Sequence, residues 1–188
     1  PWMRTDGVQL GFTASHRLPG VLHEVNWYSK GEMTYVRRFS IGIPGGEVQE
    51  FAGTIGPYNT TSASGTPRWK ANWANTFMWR KLAVTPTVYY TSGYKTIAAD
   101  AGATSCGLLT GAAQIPSTQC HVKNYWDVDL TVNYQISPRW SVYANVYNLL
   151  GFRAPYDYAT YGSYLYNSSW SQKGIIYRSF QFGVNVKL

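Results

Sequence analysis

The sequence predicts an all-β fold: a transmembrane antiparallel up-and-down β-barrel, of which this chain supplies about seven strands. Three observations carry that prediction. Segments of strand length alternate apolar and polar side chains with period two. Their polar positions hold uncharged residues rather than Lys, Glu and Asp. Tight and long connections take turns along the chain.

Charged residues make up 13% of the 188, about half the share usual in soluble globular domains. Aromatic residues reach 16%, with sixteen Tyr and eight Trp. The mean hydropathy is nonetheless −0.26, because Thr, Ser, Asn, Gln and Gly supply polarity without charge. No stretch approaches the roughly 18 to 20 consecutive apolar residues that a membrane-spanning helix needs, so a closed barrel is the spanning structure open to this chain. The start has neither a basic nor an apolar signal region and its first residue is Pro1, so the sequence is expected to begin inside a longer protein. A net charge of +7 raises the question of nucleic acid. The basic residues are scattered, however, with Arg37-Arg38 and Arg80-Lys81 the only adjacent pairs, and the aromatics sit at period two on an apolar face rather than on a base-stacking platform. Nucleic acid is therefore not an expected partner.

Taken in order, the first strand is marked by Val8, Leu10, Phe12 and Ala14 alternating with Gln9, Gly11, Thr13 and Ser15. Pro19-Gly20 turns the chain into a longer, less regular run from 22 to 43, where Val25, Trp27, Met33 and Tyr35 share one parity. Trp69, Ala71, Trp73, Phe77 and Trp79 mark the third strand. After Arg80-Lys81, Leu82, Val84, Val88 and Tyr90 mark the fourth. Pro86 is an anomaly there, since it removes a ladder donor and belongs on an edge or at a bulge. Trp126, Val128, Leu130, Val132, Tyr134 and Ile136 alternate with Asp127, Asp129, Thr131, Asn133 and Gln135. Ser137-Pro138-Arg139 then makes a tight hairpin into Trp140, Val142, Ala144 and Val146. Phe180, Phe182, Val184, Val186 and Leu188 close the chain as the seventh strand.

The long connections run from 44 to 67, 95 to 122 and 151 to 174. They alternate strictly with the tight ones, as in barrels with brief periplasmic turns and extended extracellular loops. A compact soluble domain rarely carries three structureless loops of this length. Alternation alone does not separate a membrane barrel from a soluble one, because both have one apolar face. The polar face decides: the runs 82 to 91 and 140 to 149 contain no charged residue, which suits a wet lumen. Trp69, Trp126 and Trp140 stand at strand starts, where indoles favour the membrane interface. Bacterial single-chain barrels have even strand numbers, so seven strands read as a fragment.

Several segments resemble a known family. Gly65-Thr66-Pro67-Arg68-Trp69-Lys70-Ala71-Asn72 is similar to a strand start after a long loop in the TonB-dependent receptors, and Tyr89-Tyr90-Thr91-Ser92-Gly93-Tyr94 to the strand exit that follows. The run from Trp126 to Tyr134 resembles their antepenultimate strand. Val142 to Leu150, with Asn145-Val146-Tyr147-Asn148, resembles the penultimate one, and Tyr177 to Val186 the last. Each motif is weakly specific; order and spacing carry the weight. The resemblance implies that residues 1 to 188 form the C-terminal portion of a receptor barrel, with the plug domain and N-terminal strands lying upstream. It further implies location in the outer membrane of a Gram-negative bacterium, among lipid and lipopolysaccharide. The implied function is energy-dependent uptake of a scarce solute of the siderophore, cobalamin or oligosaccharide class, driven by TonB and the inner-membrane motor through the plug. The alternatives are a passive porin-like channel and an outer-membrane barrel hydrolase.

Candidate ligand contacts lie in the loop from 152 to 173, which holds Tyr156, Tyr158, Tyr161, Tyr164, Tyr166 and Trp170. Amphipathic rings offer stiff contact surfaces for sugars, aromatic siderophores or flat chelates; the alternative is that they pack on one another to order the loop. Cys106 and Cys120 fall in one long loop, and an oxidising exterior favours a disulfide between them, worth about 3 kcal/mol. With His121 adjacent they lack the spacing and fourth ligand of a metal site. Asp127 and Asp129 point to one face and, with His121, would be the pair a hydrolase needs; a lumen-facing acidic pair contacting a plug or Lys/Arg side chains is the expected role. His16 and His23 lie near the Pro19-Gly20 turn with no evident partner. No phosphate loop, nucleophile elbow or metal signature occurs, so neither catalysis nor a cofactor is expected.

Overall fold

The computed structural model describes residues 1–19, 24–42, 44–46, 48–54, 66–96, 121–157, 166 and 173–187. Its strands are β1 (Trp2–Arg17), β2 (Val25–Gly42), β3 (Val48–Glu50), β4 (Trp69–Trp79), β5 (Leu82–Thr91), β6 (Tyr94–Lys95), β7 (His121–Val122), β8 (Tyr125–Gln135), β9 (Trp140–Tyr147) and β10 (Ser179–Val186). One sheet runs β1-β2-β4-β5-β8-β9-β10, each strand antiparallel to its chain neighbour, with β3 attached to β2 and with β6-β7 a separate ribbon. The sheet is an open segment of an up-and-down barrel wall, and its seven long strands are those the alternation marks.

The register keeps the apolar parity on one side. Trp79 faces Leu82, Val84 faces Val132, Ala144 faces Val132 on one flank and Phe182 on the other, and Val142 faces Val184. These side chains form a continuous exposed apolar surface, with Trp126 50% and Phe182 73% exposed, as on the lipid-facing side of an outer-membrane barrel wall. Ring pairs mark the loop end of this face, Tyr35 with Trp69 at 4.3 Å and Tyr90 with Trp126 at 4.5 Å. Trp79 and Trp140 mark the turn end. Trp69 to Trp79 is ten residue steps, about 33 Å of strand, which at about 40° of tilt gives the roughly 25 Å height of an outer-membrane apolar band.

Within that band β2 and β4 carry one polar pair, Ser29 opposite Asn75. Both side chains accept from indoles: Trp73 Nε1 donates to Ser29 Oγ at 2.8 Å and Trp27 Nε1 to Asn75 Oδ1 at 3.0 Å. Lipid offers no partner to a polar group, so these two diagonal bonds supply both indole N–H donors with acceptors inside the sheet.

The irregularity of the 22 to 43 run has a structural cause. The β1-β2 register slips between Asp6 and Gly7, leaving Arg37 as the extra residue of a bulge. Gly7 is needed there, because a Cβ would collide with the Tyr35 carbonyl oxygen. β1 also begins at Trp2, well before the alternation is obvious. The expectation for Pro86 is corrected: it sits in an interior strand, facing Leu130 of β8. The β4-β5 ladder breaks at Thr85 and Pro86 and resumes at Val84. A hydrogen bond of 2.9 Å between the Thr76 and Thr85 hydroxyls bridges the gap, so the missing N–H is accommodated without a bulge. The expectation of structureless long connections is corrected too. The first contains β3, which extends the sheet along β2, and β6-β7 clasp the base of the second. The third ends in a helical turn at residues 173–176.

Candidate functional site at the loop end of the sheet

A single-layer wall has no interior, and the buried residues collect where the loops leave the strands: Phe51, Ala52, Tyr94, Val122, Tyr125 and Ala154, with polar Asp127, Asp129, Asn148 and Asp157 among them. Period two places Asp127 and Asp129 on the polar face of β8, with Tyr89 opposite Asp127. Lys173, from the helical turn that ends the third loop, enters this corner. Its Nζ lies 3.1 Å from Asp127 Oδ2 and 2.5 Å from Asp129 Oδ2. The ammonium also stands 3.9 Å from the ring centre of Tyr89 and 5.9 Å from that of Tyr147. Two carboxylates and two aromatic faces thus enclose one cation. Burial works against the charge on Lys173, but hydrogen bonds to Asp129 and Asp127 outweigh it and raise its pKa above the ordinary lysine value.

Asn148 knits the same corner. It adopts the left-handed conformation, φ 52°, which Asn tolerates better than most residues. Its backbone N–H donates to Asp129 Oδ1 at 3.0 Å, its Oδ1 accepts from Phe152 N at 2.9 Å, and its Nδ2 donates to Phe152 O at 2.8 Å. The Tyr94 hydroxyl donates to Asp157 at 2.6 Å, joining the third loop to the β6-β7 clasp. Glu50 holds the first loop to β2 by accepting from Phe39 N at 2.9 Å, Ala52 N at 3.1 Å and Ser40 Oγ at 2.8 Å. All three long connections are therefore fixed to the wall at their bases.

Of the candidate ligand contacts, Tyr156 and Tyr166 are brought together, their rings stacked with centroids 5.3 Å apart and planes at 26°. Tyr156 is half-exposed. Tyr158, Tyr161, Tyr164, Trp170, Cys106, Cys120 and His23 lie outside the described residues. His16 faces Trp27 in the β1-β2 ladder. His121 sits on β7 opposite Lys95, and the carboxylates that a hydrolase would need hold Lys173 instead. Sequence reading missed Lys173 and the Tyr94 to Asp157 bond; the one signal toward the former was an acidic pair whose expected partner was a Lys or Arg.

Among solved structures, the chain is similar to the ferric-catecholate import receptor Fiu from E. coli K12, with a TM-score of 0.42 and 14% identity over 95% of this chain. It spans 27% of that receptor's length. No curated protein matches the sequence. The model of the family described as TonB dependent receptor-like, beta-barrel, matches residues 3–149. That match takes in the sheet from β1 to β9 and the carboxylates of the loop-end corner, and by it this chain belongs to the TonB-dependent receptor β-barrel family.

Proposed function

We propose that this chain is a portion of the barrel wall of an outer-membrane receptor that captures a scarce solute from outside the cell and imports it with energy delivered through TonB. The observation that carries this reading is the family match over residues 3–149. The wall's two chemically distinct faces support it. In this reading residues 1 to 188 are the C-terminal part of the barrel, with plug and remaining strands upstream, and the long connections form part of the ligand surface.

The ligand class is a siderophore, cobalamin or oligosaccharide. The stacked Tyr156 and Tyr166 support a flat or ring-bearing ligand, because the exposed Tyr156 ring, already ordered by stacking on the part-buried Tyr166, loses little entropy on contact. Tyr158, Tyr161, Tyr164 and Trp170 would extend the same surface. A disulfide between Cys106 and Cys120 would restrain the neighbouring loop.

The test is accumulation of labelled ferric siderophores, cobalamin and oligosaccharides by cells carrying the full-length receptor, with and without TonB. The expected result is saturable, TonB-dependent uptake of one class, weakened severalfold by Tyr156→Ala. Non-saturable passage unaffected by TonB would replace the receptor with a passive channel.

A further inference from the structure

The polar pair on the lipid side of β2 and β4 is only half used by the two indole bonds. Trp27 Nε1 takes up Asn75 Oδ1. The other half of that carboxamide, an Nδ2 with two N–H donors, meets no acceptor among the described residues. The backbone of the same residue is short of a partner too. The flanking register, Ala74 with Thr87 and Phe77 with Val84, places Asn75 across from Pro86. Proline has no N–H, and the ladder lapses at this pair and the next, the pattern left when the Asn75 carbonyl has lost its donor. Both strands have their neighbours on either side in this chain.

Depth makes these unpaired groups costly. Asn75 lies six residues from Trp69 and four from Trp79, about 10 Å of hydrocarbon from the nearer interface at ordinary strand tilt. Neither water nor a headgroup reaches that level, and an Asn side chain is too short to carry its amide out to one. Acyl chains offer nothing to bond, so the groups that remain are matched only by another protein in the membrane. Symmetry selects which one. Copies of one barrel insert the same way up, so an axis along the membrane normal relates them and brings like residues together at like depth. A carboxamide donates and accepts at once, and Asn75 Oδ1 keeps a second lone pair beside the one given to Trp27. Two Asn75 side chains facing across such an axis therefore exchange two N–H···O bonds. The row around them is low: Ala14, Ser29 and Pro86 share the level of Asn75, and small side chains at a contact let two walls approach.

We propose that the β2-β4 sector of the lipid-facing wall is a dimer interface between two copies of the receptor, centred on an Asn75 to Asn75 amide pair. It rests on the reading of this face as the lipid side of an outer-membrane barrel. The test counts photobleaching steps of the fluorescently labelled full-length receptor, diluted in vesicles of phosphatidylethanolamine and phosphatidylglycerol. The wild type should bleach in two steps. Trp27→Phe/Asn75→Ala, which removes donor and acceptor together, should dissociate at roughly tenfold lower lipid dilution while keeping the heat-dependent gel shift of a folded barrel. A thiol cross-linker about two strand spacings long, ~10 Å, should join copies of Phe77→Cys, the next lipid-side position along β4, above the background of the unsubstituted receptor. It should leave Val132→Cys, level with Phe77 but two strands away, monomeric. Single-step bleaching of the wild type overturns the interface without recourse to any variant. An undiminished dimer in the double variant overturns it as well, and so does equal joining at both cysteines, which marks random collision. A monomer that imports its solute with TonB sinks this interface alone; a chain absent from the outer membrane sinks the reading beneath it.

Discussion

Removing the Lys173 ammonium would strand two carboxylates that are themselves almost fully covered. Lys173→Met keeps most of the aliphatic stem and deletes the charge. The expected loss is about 2 kcal/mol, below the roughly 3 to 5 of a fully buried pair, because the lysine side chain is 36% exposed. Urea unfolding of the full receptor in lipid vesicles measures it, and adding Asp129→Asn should recover part of the loss; an unchanged midpoint in Lys173→Met would mean that water solvates the cluster. The sign of the pH dependence follows from the raised pKa of Lys173. The folded state holds this proton more tightly than the unfolded chain, so its contribution is whole below roughly pH 10.4 and is lost as pH climbs through the folded-state value. Hydrogen exchange at residues 173–176, corrected for intrinsic rate, should stay flat between about pH 6 and 9 and rise only above about pH 10.5. Protection that fades near neutrality would contradict the tether.

Between elements, the β2-β4 ladder shows how a lipid-side strand pair tolerates polarity. Asn75→Ala removes the acceptor of the Trp27 indole and leaves its N–H facing hydrocarbon, an expected cost of about 1 to 2 kcal/mol. In Trp27→Phe the same substitution should cost much less, since there is no donor left to orphan. Additive losses in that double-mutant cycle would show that the bond does not couple the strands. The bulge at Arg37 works differently: it relieves the register where β2 changes neighbours, from β4 along residues 25–35 to β3 along 40–42.

Across the whole wall, the assignment of faces makes opposite demands on adjacent residues. Leu130 stands midway between Trp126 and Tyr134 on the apolar side, in line with Pro86 and Val146; Thr131, its neighbour, looks the other way. Leu130→Arg should destabilise the receptor in vesicles by about 2 to 4 kcal/mol, the midplane cost of a cation on a lipid face, while Thr131→Lys should change stability by less than about 1 kcal/mol. Reversed costs, read from urea midpoints, would exchange the lipid and lumen sides of the sheet. The loop-end corner belongs to this scale as well, because it joins strands β5, β8 and β9 to the last turn of the third loop.

Strand positions and their two faces were legible in the sequence because alternation is a local property: each side chain's side is set by its immediate neighbours. Trp69–Trp79 and Leu82–Thr91 could be bounded to the residue in this way, and Asp127 and Asp129 could be placed on one face. Only the tertiary structure decided that Lys173 fills that acidic pair and that Tyr94 reaches Asp157, since these partners lie 44 and 63 residues apart. Contacts of that kind depend on strand register and on where each loop returns, and the period-two pattern, identical along every strand, carries no information about either.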